Sequence, residues 1–367
     1  MKPLLLFITV DALGPEILAR ARAPEMKRIM EEGLSVQKAT SHFPTLTTPM
    51  MSTILTGCLP DRHGIECNTR LDLGAGKVRG RLRDLKVATI GDILIENGYR
   101  VASVQHFMLE GHPGISYSQT DGADTTGITR LIASYMEYFD AIFTIFQAVD
   151  AAGHRFGPFH ERTLAEVEKI DEAIGRLLEV WKGREFLLVV SSDHSMSYAD
   201  RASDFSIEEF FASMDLKAAF LSEGNSISNI DVAMLRYPTV PIFLLSDRAR
   251  NLRLEITDCL RNERELWRVY SKEEMESLGN GHYGDIAYSL NKGVTTVGAL
   301  METGGFGYHG TEGEEETVIA FGGTMLKDYR IPAARLADIV PTTLKILSIE
   351  SERKFDGENI WSCEDES

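Results

Sequence analysis

Cysteine is scarce in this sequence, and Cys58, Cys67, Cys259 and Cys363 share no short spacing. That pattern excludes a disulfide framework and a thiolate zinc site as sources of stability or chemistry. No apolar run approaches the roughly 20 residues that a membrane-crossing helix needs. The run Leu4 to Val10 is too short to span, and it leads into Asp11 without a small-residue cleavage site. It is expected to be a buried first strand, in a cytoplasmic protein with no membrane partner. Positive charge is also short: 38 Lys and Arg stand against 55 Asp and Glu, a net charge of −17. A nucleic-acid polymer is therefore not the expected partner, because such binders gather basic surface to replace counterions. A small anionic substrate is still compatible, since bound divalent cations reverse the local field.

What remains is an ordinary globular composition, 43% hydrophobic and 25% charged over 367 residues. That length suits one large α/β domain with a sizeable insertion. Leu4 to Val10, Ala141 to Val149 and Phe186 to Val190 have the continuous apolar texture of parallel strands covered on both faces. Each ends in an acidic position: Asp11, Asp150 and Asp193. In open α/β sheets that carboxyl edge is where ligands bind. Helical spacing is expected over Pro24 to Glu32, from near Pro49 to Gly57 with Thr48 as cap, over Ala88 to Gly98 and over Phe159 to Lys182. A strand is expected at Val101 to Val104. From about Ser197 to Gly304 the texture shifts to short mixed elements, with strands at Ala218 to Leu221, Val240 to Ser246 and Ile286 to Leu290. The expected fold is α/β, a mostly parallel central sheet flanked by helices (residues 1–196 and 305–367), with a smaller α+β insertion (197–304). Thr317 to Gly322 returns to buried strand, Ala333 to Leu347 is expected as a closing helix, and SCEDES as a loose acidic tail.

Several of these segments carry metal-ligating or nucleophilic side chains. Asp150 and His154, four apart after a strand, converge on one cation if the chain turns helically there. Taken alone they are equally a loop acid beside an unrelated imidazole. Asp193-His194 places oxygen and imidazole donors where a core strand exits, a set that suits zinc or manganese. The alternative is a solvated turn in which His194 caps a helix. His309, in the glycine-rich GGFGYHGTEG, is bent into a metal site or is part of a plain turn. Thr47, in FPTLTTPM, lies at an expected helix N-terminus, where N–H groups face phosphate oxygens and a hydroxyl is placed to attack phosphorus. Thr45 or Thr48 is expected to cap.

The ordered set of VDA, FPTLT before Pro49, TGCLPDRHGI, Asn68, DAAGH, SSDHSM and GYHG resembles the alkaline phosphatase superfamily, and within it the type I phosphodiesterase/nucleotide pyrophosphatase branch. The motifs run from Asp11 to His309, and DIVPTTLKIL with FDGENI is similar to that superfamily too. The resemblance implies an alkaline phosphatase-like core and a hydrolase of phosphate diesters with two divalent metal ions, zinc or alternatively manganese. It implies that Asp11, Thr47, Asp193 and His194 hold one ion and Asp150, His154 and His309 the other, with Thr47 as nucleophile of a phospho-threonine intermediate. It also implies that Asn68 and the backbone N–H of Thr48 bind a phosphate oxygen, and that His63 makes a structural hydrogen bond. Met50, where relatives often have Asn, bears on the polarity of the site's wall, and Cys67 is expected as a small buried hydrophobe. The substrate is expected to be a small anionic phosphate or phosphonate ester, with phosphonoacetate hydrolysis and phosphomonoester hydrolysis as alternatives. Outside enzymes, the alternative is a metal-binding regulatory protein on the same fold. A homodimer is compatible with all of these. Finally, Arg70 to Lys86 is locally basic (Arg70, Lys77, Arg79, Arg81, Arg83, Lys86). This segment either offers a cation, Arg70 first, to a second anionic group of the substrate or is a solvated hairpin.

Overall fold

The computed structural model describes residues 2–80, 82–295 and 306–362, so Arg81, Cys363, the rest of the acidic tail and the far boundary of the insertion near Gly304 lie outside the described residues. A nine-stranded sheet runs through the core. Its strands lie in the order Tyr329–Arg335, Leu34–Thr40, Ile319–Gly323, Phe186–Ser191, Leu4–Val10, Ala141–Phe146, Val101–Val104 and Ile115–Ser118, with the short Glu316–Thr317 also paired to Leu34–Thr40. Only Ile319–Gly323 and Glu316–Thr317 run against the others.

The strand Leu4–Val10 shows why the middle of this sheet forms. All of it is buried, Leu5 and Phe7 on one face and Leu4, Leu6, Ile8 and Val10 on the other. The two-residue period of a strand sends those two sets into separate cores, so both faces must be covered by helices. One face is covered by the helices Thr47–Thr56, Ile90–Glu96 and Ile339–Ile346, the other by Pro15–Arg20, Pro24–Glu32, Thr125–Tyr135 and Glu161–Val180. In the last of these, Val167, Ile170, Ile174 and Leu177 recur at helical spacing and are wholly buried.

Two local expectations need correction. The segment expected as a closing helix from Ala333 is first the end of the strand Tyr329–Arg335, then a tight turn Leu336–Asp338, and only then the helix Ile339–Ile346. Pro341 falls in the first turn of that helix, where its missing N–H breaks no bond. The other helix begins at Thr47 rather than at Pro49, and no side chain caps it.

The second unit is a five-stranded, mostly antiparallel sheet in the order Ala218–Leu221, Val232–Leu235, Thr239–Leu244, Ile286–Leu290 and Leu266–Ser271. One face is packed by helices through Phe211, Ile256 and Leu260. The other is covered by a hairpin of the core, Arg70–Asp72 with Lys77–Arg79, through Leu71 and Val78. The basic segment is thus a brace: Val78 N–H donates to Asn225 and Ile227 N–H to Gly76 across the junction. Arg79 pairs with Asp72 at 2.8 Å within the hairpin. The chain enters and leaves this unit through a neck in which Ser197–Ala199 pairs antiparallel with Phe306–Tyr308. Among the described residues no helix is long and apolar enough to cross a membrane.

The helix Pro24–Glu32 has no cap of its own, since its N-cap is Ala23. Asp171 of the long helix supplies one, accepting the N–H groups of Met26 at 2.8 Å and Glu25 at 3.2 Å. Asp171→Leu leaves the buried Met26 N–H and the half-buried Glu25 N–H unmet and is expected to lower unfolding free energy by about 1–3 kcal/mol, whereas Asp171→Asn keeps an acceptor and loses less. Urea midpoints for the two variants check this ordering; equal midpoints would refute the capping role.

Candidate metal centre

The strands Phe186–Ser191, Leu4–Val10 and Ala141–Phe146 are consecutive in the sheet and mutually parallel. Their carboxyl ends therefore coincide in space, and the acidic residue after each lands in one place. Asp11 and Asp193 are buried to 1% and 0% exposure, which leaves no room for water to solvate their charge. The loop after Leu4–Val10 is tied across to the next strand: Ala12 N–H donates to Asp193 Oδ1 at 3.1 Å and Leu13 N–H to Ser192 Oγ at 2.8 Å. Ala12 holds φ 64°, a left-handed conformation unusual for a residue with a Cβ, and this tight turn is what leaves Asp11 facing Asp193.

The helix Ala148–Phe156 begins directly after its strand, so Asp150 and His154, one turn apart, stand side by side with Asp150 Oδ1 3.2 Å from His154 Nε2. His309 arrives from the neck, its Nε2 3.6 Å from Asp150 Oδ1. This approach is close because two glycines allow it: a Cβ on Gly153 or on Gly307 would run into Met196 Sδ. On the other side His194 Nε2 lies 3.0 Å from Asp193 Oδ2 and 3.8 Å from Asp11 Oδ1. The rings of His194 and His309 stack at 3.7 Å between centroids and link the two halves.

Two groups result, Asp11 with Asp193 and His194, and Asp150 with His154 and His309, each with its donor atoms within 4.8 Å of one another. Three observations fit both groups to a divalent cation. Asp11 Oδ1, Asp150 Oδ1 and Asp193 Oδ2 are buried and accept no hydrogen bond. Each imidazole uses its Nδ1 on a backbone carbonyl: His154 on Gly307 at 2.8 Å, His194 on Ser195 at 3.0 Å and His309 on Thr45 at 2.8 Å. With Nδ1–H donated there, the lone pair of Nε2 is turned toward the carboxylates, as in metal-bound histidines. And no Lys or Arg pairs with the three carboxylates among the described residues.

The electrostatics express the same deficit. Burial, then the charges of Asp193 and Asp150, push the Asp11 carboxyl well above the usual carboxylate range. Burial also works against the Asp150 anion, but its contact with His154 and the nearby His309 overcome this and hold it at about 2. Burial would neutralise the His194 imidazole, yet Asp193 beside it outweighs burial and raises its pKa. The His309 imidazole is pushed down to about 3, by burial first and then by His194. A bound divalent ion would reverse the sign of these fields.

Thr47 is the first residue of its helix, and its Oγ1 lies 3.4 Å from His194 Nε2. Asn68 is brought beside it, its Oδ1 accepting the Thr48 N–H at 2.9 Å. That contact corrects one expectation: the Thr48 N–H is engaged by Asn68, so the N–H left for a ligand at this helix start is that of Thr47 itself. Arg70 is corrected too. Its guanidinium sits on Glu66 Oε2 at 2.7 Å and on the Gly64 carbonyl, committed to the base of the hairpin. Thr45 is no cap either; its hydroxyl bonds the Thr311 carbonyl and the Gly310 N–H, which fastens the His309 loop to the segment that carries Thr47. Met50 points away into the core at 0% exposure and does not form the site's wall. Cys67 is buried among Leu46, Tyr270 and Tyr283, as expected. His63 is structural: its Nδ1 accepts the Ile65 N–H at 3.1 Å and its Nε2 meets Thr53 Oγ1 at 3.2 Å. Gln147, whose Nε2 donates to Asp11 Oδ2 at 3.4 Å, had no sequence signal beyond standing at the end of a core strand.

Comparison with known proteins fits this geometry. The profile of the family "Type I phosphodiesterase / nucleotide pyrophosphatase" matches residues 5–318. The chain belongs to that family. Its curated relatives include a bis(5'-adenosyl)-triphosphatase ENPP4 of Bos taurus, 21% identical over 345 residues that cover 82% of this chain and 74% of the relative. The Xenopus laevis protein of the same description is 22% identical over 385 residues, covering 95% and 79%. Among solved structures, murine ectonucleotide pyrophosphatase / phosphodiesterase 5, an inactive variant in complex with AMP, superposes with a TM-score of 0.79 at 18% identity, covering 98% of each chain. The fold is thus alkaline phosphatase-like, and membership of the phosphodiesterase/nucleotide pyrophosphatase family makes the chain a metal-dependent hydrolase of phosphoric esters.

Metal analysis of the purified chain is expected to give two divalent ions per molecule, one after His154→Ala and two after Asn68→Ala. Chelation should also lower the thermal midpoint, because a ligand that binds only the folded state stabilises it. Two ions retained in His154→Ala would count against the assignment of that residue as a ligand.

Proposed function

We propose that this chain hydrolyses phosphate diesters of nucleotide type in two displacements, through a phospho-threonine intermediate on Thr47. The observation that carries the reading is the position of Thr47 Oγ1, at a helix start and 3.4 Å from His194 Nε2 in the more buried metal group. Bound divalent ions, zinc by donor type with manganese as the alternative, lower the pKa of the threonine hydroxyl and neutralise charge on the leaving oxygen.

The chain's own residues orient the phosphate. The Thr47 N–H at the helix start points to a phosphate oxygen, favoured by the local positive end of the helix. Asn68, its Oδ1 held by Thr48, turns its NH2 group to a non-bridging oxygen, and this NH2 has no other partner among the described residues. In the first displacement the Thr47 oxygen bonds to phosphorus and the alcohol leaves with a proton. In the second, water attacks phosphorus, phosphate monoester departs and Thr47 regains its proton. Donors placed where charge develops, as Asn68 is, typically contribute about 10²–10³ in kcat.

Nucleotide substrates are supported by the names of the ENPP4 relatives and by the AMP held by the murine neighbour. A cytoplasmic location belongs to the same proposal; its support is Cys259, exposed and free, an arrangement suited to a reducing compartment. Recovery of the protein from culture medium with its leader removed would contradict it.

Thr47→Ala is expected to abolish turnover while the Asp/His groups still bind metal. Asn68→Ala is expected to lower kcat by roughly 10²–10³ with a smaller change in KM. Second-order rate constants for a dinucleoside polyphosphate, an aryl diester, an aryl monoester and phosphonoacetate, measured on one metal-replete preparation, test the substrate class. A monoester or phosphonoacetate preferred by several orders would overturn diester hydrolysis, and full activity in Thr47→Ala would overturn the mechanism.

A further inference from the structure

Where the core meets the insertion, a cavity of about 340 Å³ opens behind Asn68. Neither Thr47 nor any of the six Asp and His residues of the two metal groups lines it. Its apolar surface comes from both units: Leu71 from the core hairpin, and Leu235, Phe243 and Tyr283 from the insertion. Leu73, also in the lining, is 58% exposed, a large apolar side chain left uncovered at the cavity's edge.

The polar part of the lining has an excess of positive charge. It holds Arg70, Lys86 and Lys272 against Glu66 and Asp285. Glu66 is neutralised by Arg70 at 2.7 Å. Asp285 is occupied by the Leu244 N–H at 2.8 Å and has Lys272 no nearer than 3.8 Å. Lys86 pairs with no carboxylate among the described residues, although the chain as a whole carries a net charge of −17. In so acidic a protein, one lysine without a carboxylate partner and a second held only at 3.8 Å from Asp285, beside exposed apolar surface, form the complement of an amphipathic anion.

We propose that this cavity binds an organic anion of roughly ten heavy atoms, its apolar body on Leu71, Leu235 and Phe243 and its carboxylate or phosphate-type head at Lys86 and Lys272. The site is separate from the metal centre and does not depend on the catalytic reading. It is nevertheless mechanically close to it. Cys67 and Thr69, on either side of Asn68, both line the cavity. Asn280 of the insertion donates to the Glu66 carbonyl at 3.0 Å and Tyr237 bonds Thr69 Oγ1 at 2.8 Å, so an occupant bears on the segment that positions Asn68.

Octanoate and octylphosphonate share a tail and differ in head group, and each is to be titrated calorimetrically into the metal-loaded full chain and into Lys86→Gln/Lys272→Gln. The expected result is saturable binding to the unsubstituted chain that weakens at least about tenfold in the double variant, with unchanged thermal midpoint and unchanged hydrolysis of an aryl diester. Weakening of either probe upholds the site and names its head group. Equal affinity of both proteins for both probes, or no saturation of the unsubstituted chain by either, overturns it.

Discussion

Three carboxylates, Asp11, Asp150 and Asp193, are brought to the ends of three adjacent parallel strands, and among the described residues no Lys or Arg pairs with them. Two such charges about 5 Å apart repel by roughly 3 kcal/mol at an effective dielectric of ~20, and burial adds to that cost. The fold bears this strain because the strands beneath are buried on both faces, and their position is fixed by two apolar cores rather than by anything at the site. The raised pKa of Asp11 is the same strain expressed as a proton affinity. The site is assembled in advance for cations, and the geometry of Nε2 atoms and orphaned carboxylate oxygens follows from that one constraint.

The two metal groups are not equivalent. Asp11, Asp193 and His194 are sealed, whereas the side chains of Asp150 and His154 keep 20% and 42% of their exposure. A nucleophile gains most where water is excluded, because electrostatic stabilisation is stronger there and competing protonation is suppressed. A leaving group needs an exit. In the proposed mechanism, Thr47 beside the sealed group and open space beside Asp150 and His154 match those two requirements.

How much of this was legible in the sequence depended on the range of the contacts involved. Asp11, Asp150 and Asp193 were visible because a buried strand announces itself by a continuous apolar run and an acidic residue shortly after its end stands at the edge. His154 followed from a single helical turn. The ordered motifs then selected one reading for His309 and Thr47 that their local spacing left open. What could not be read are partnerships across long stretches of chain: Asp171 capping a helix 145 residues earlier, Thr45 tied to the His309 loop, and the Thr48 N–H taken by Asn68. Arg70 was misjudged for a different, local reason. A basic run in an acidic chain invites an anion, but Glu66 four residues earlier was the nearer partner, and the hairpin's apolar side was needed to cover the insertion sheet.

That covering gives the insertion a function beyond bulk. Its sheet needs a second layer, and the core supplies one with a hairpin that starts two residues after Asn68. From the opposite direction, the insertion reaches back through Asn280 to Glu66, through Tyr237 to Thr69 and through Gly281 N–H to Asp61 Oδ2. Asn68 therefore stands in a short segment clamped on both sides by the insertion, while its partner Thr47 stands on a helix packed into the core. The segment that leads into Thr47 is held by the insertion as well, since Phe43 packs on Tyr270 and Tyr283, and Leu46 joins the same cluster. Because Thr45 of that same segment is tied to the His309 loop, the insertion buttresses Asn68, Thr47 and one histidine of the metal groups together, and Asn68 and Thr47 meet at the Thr48 N–H inside that frame.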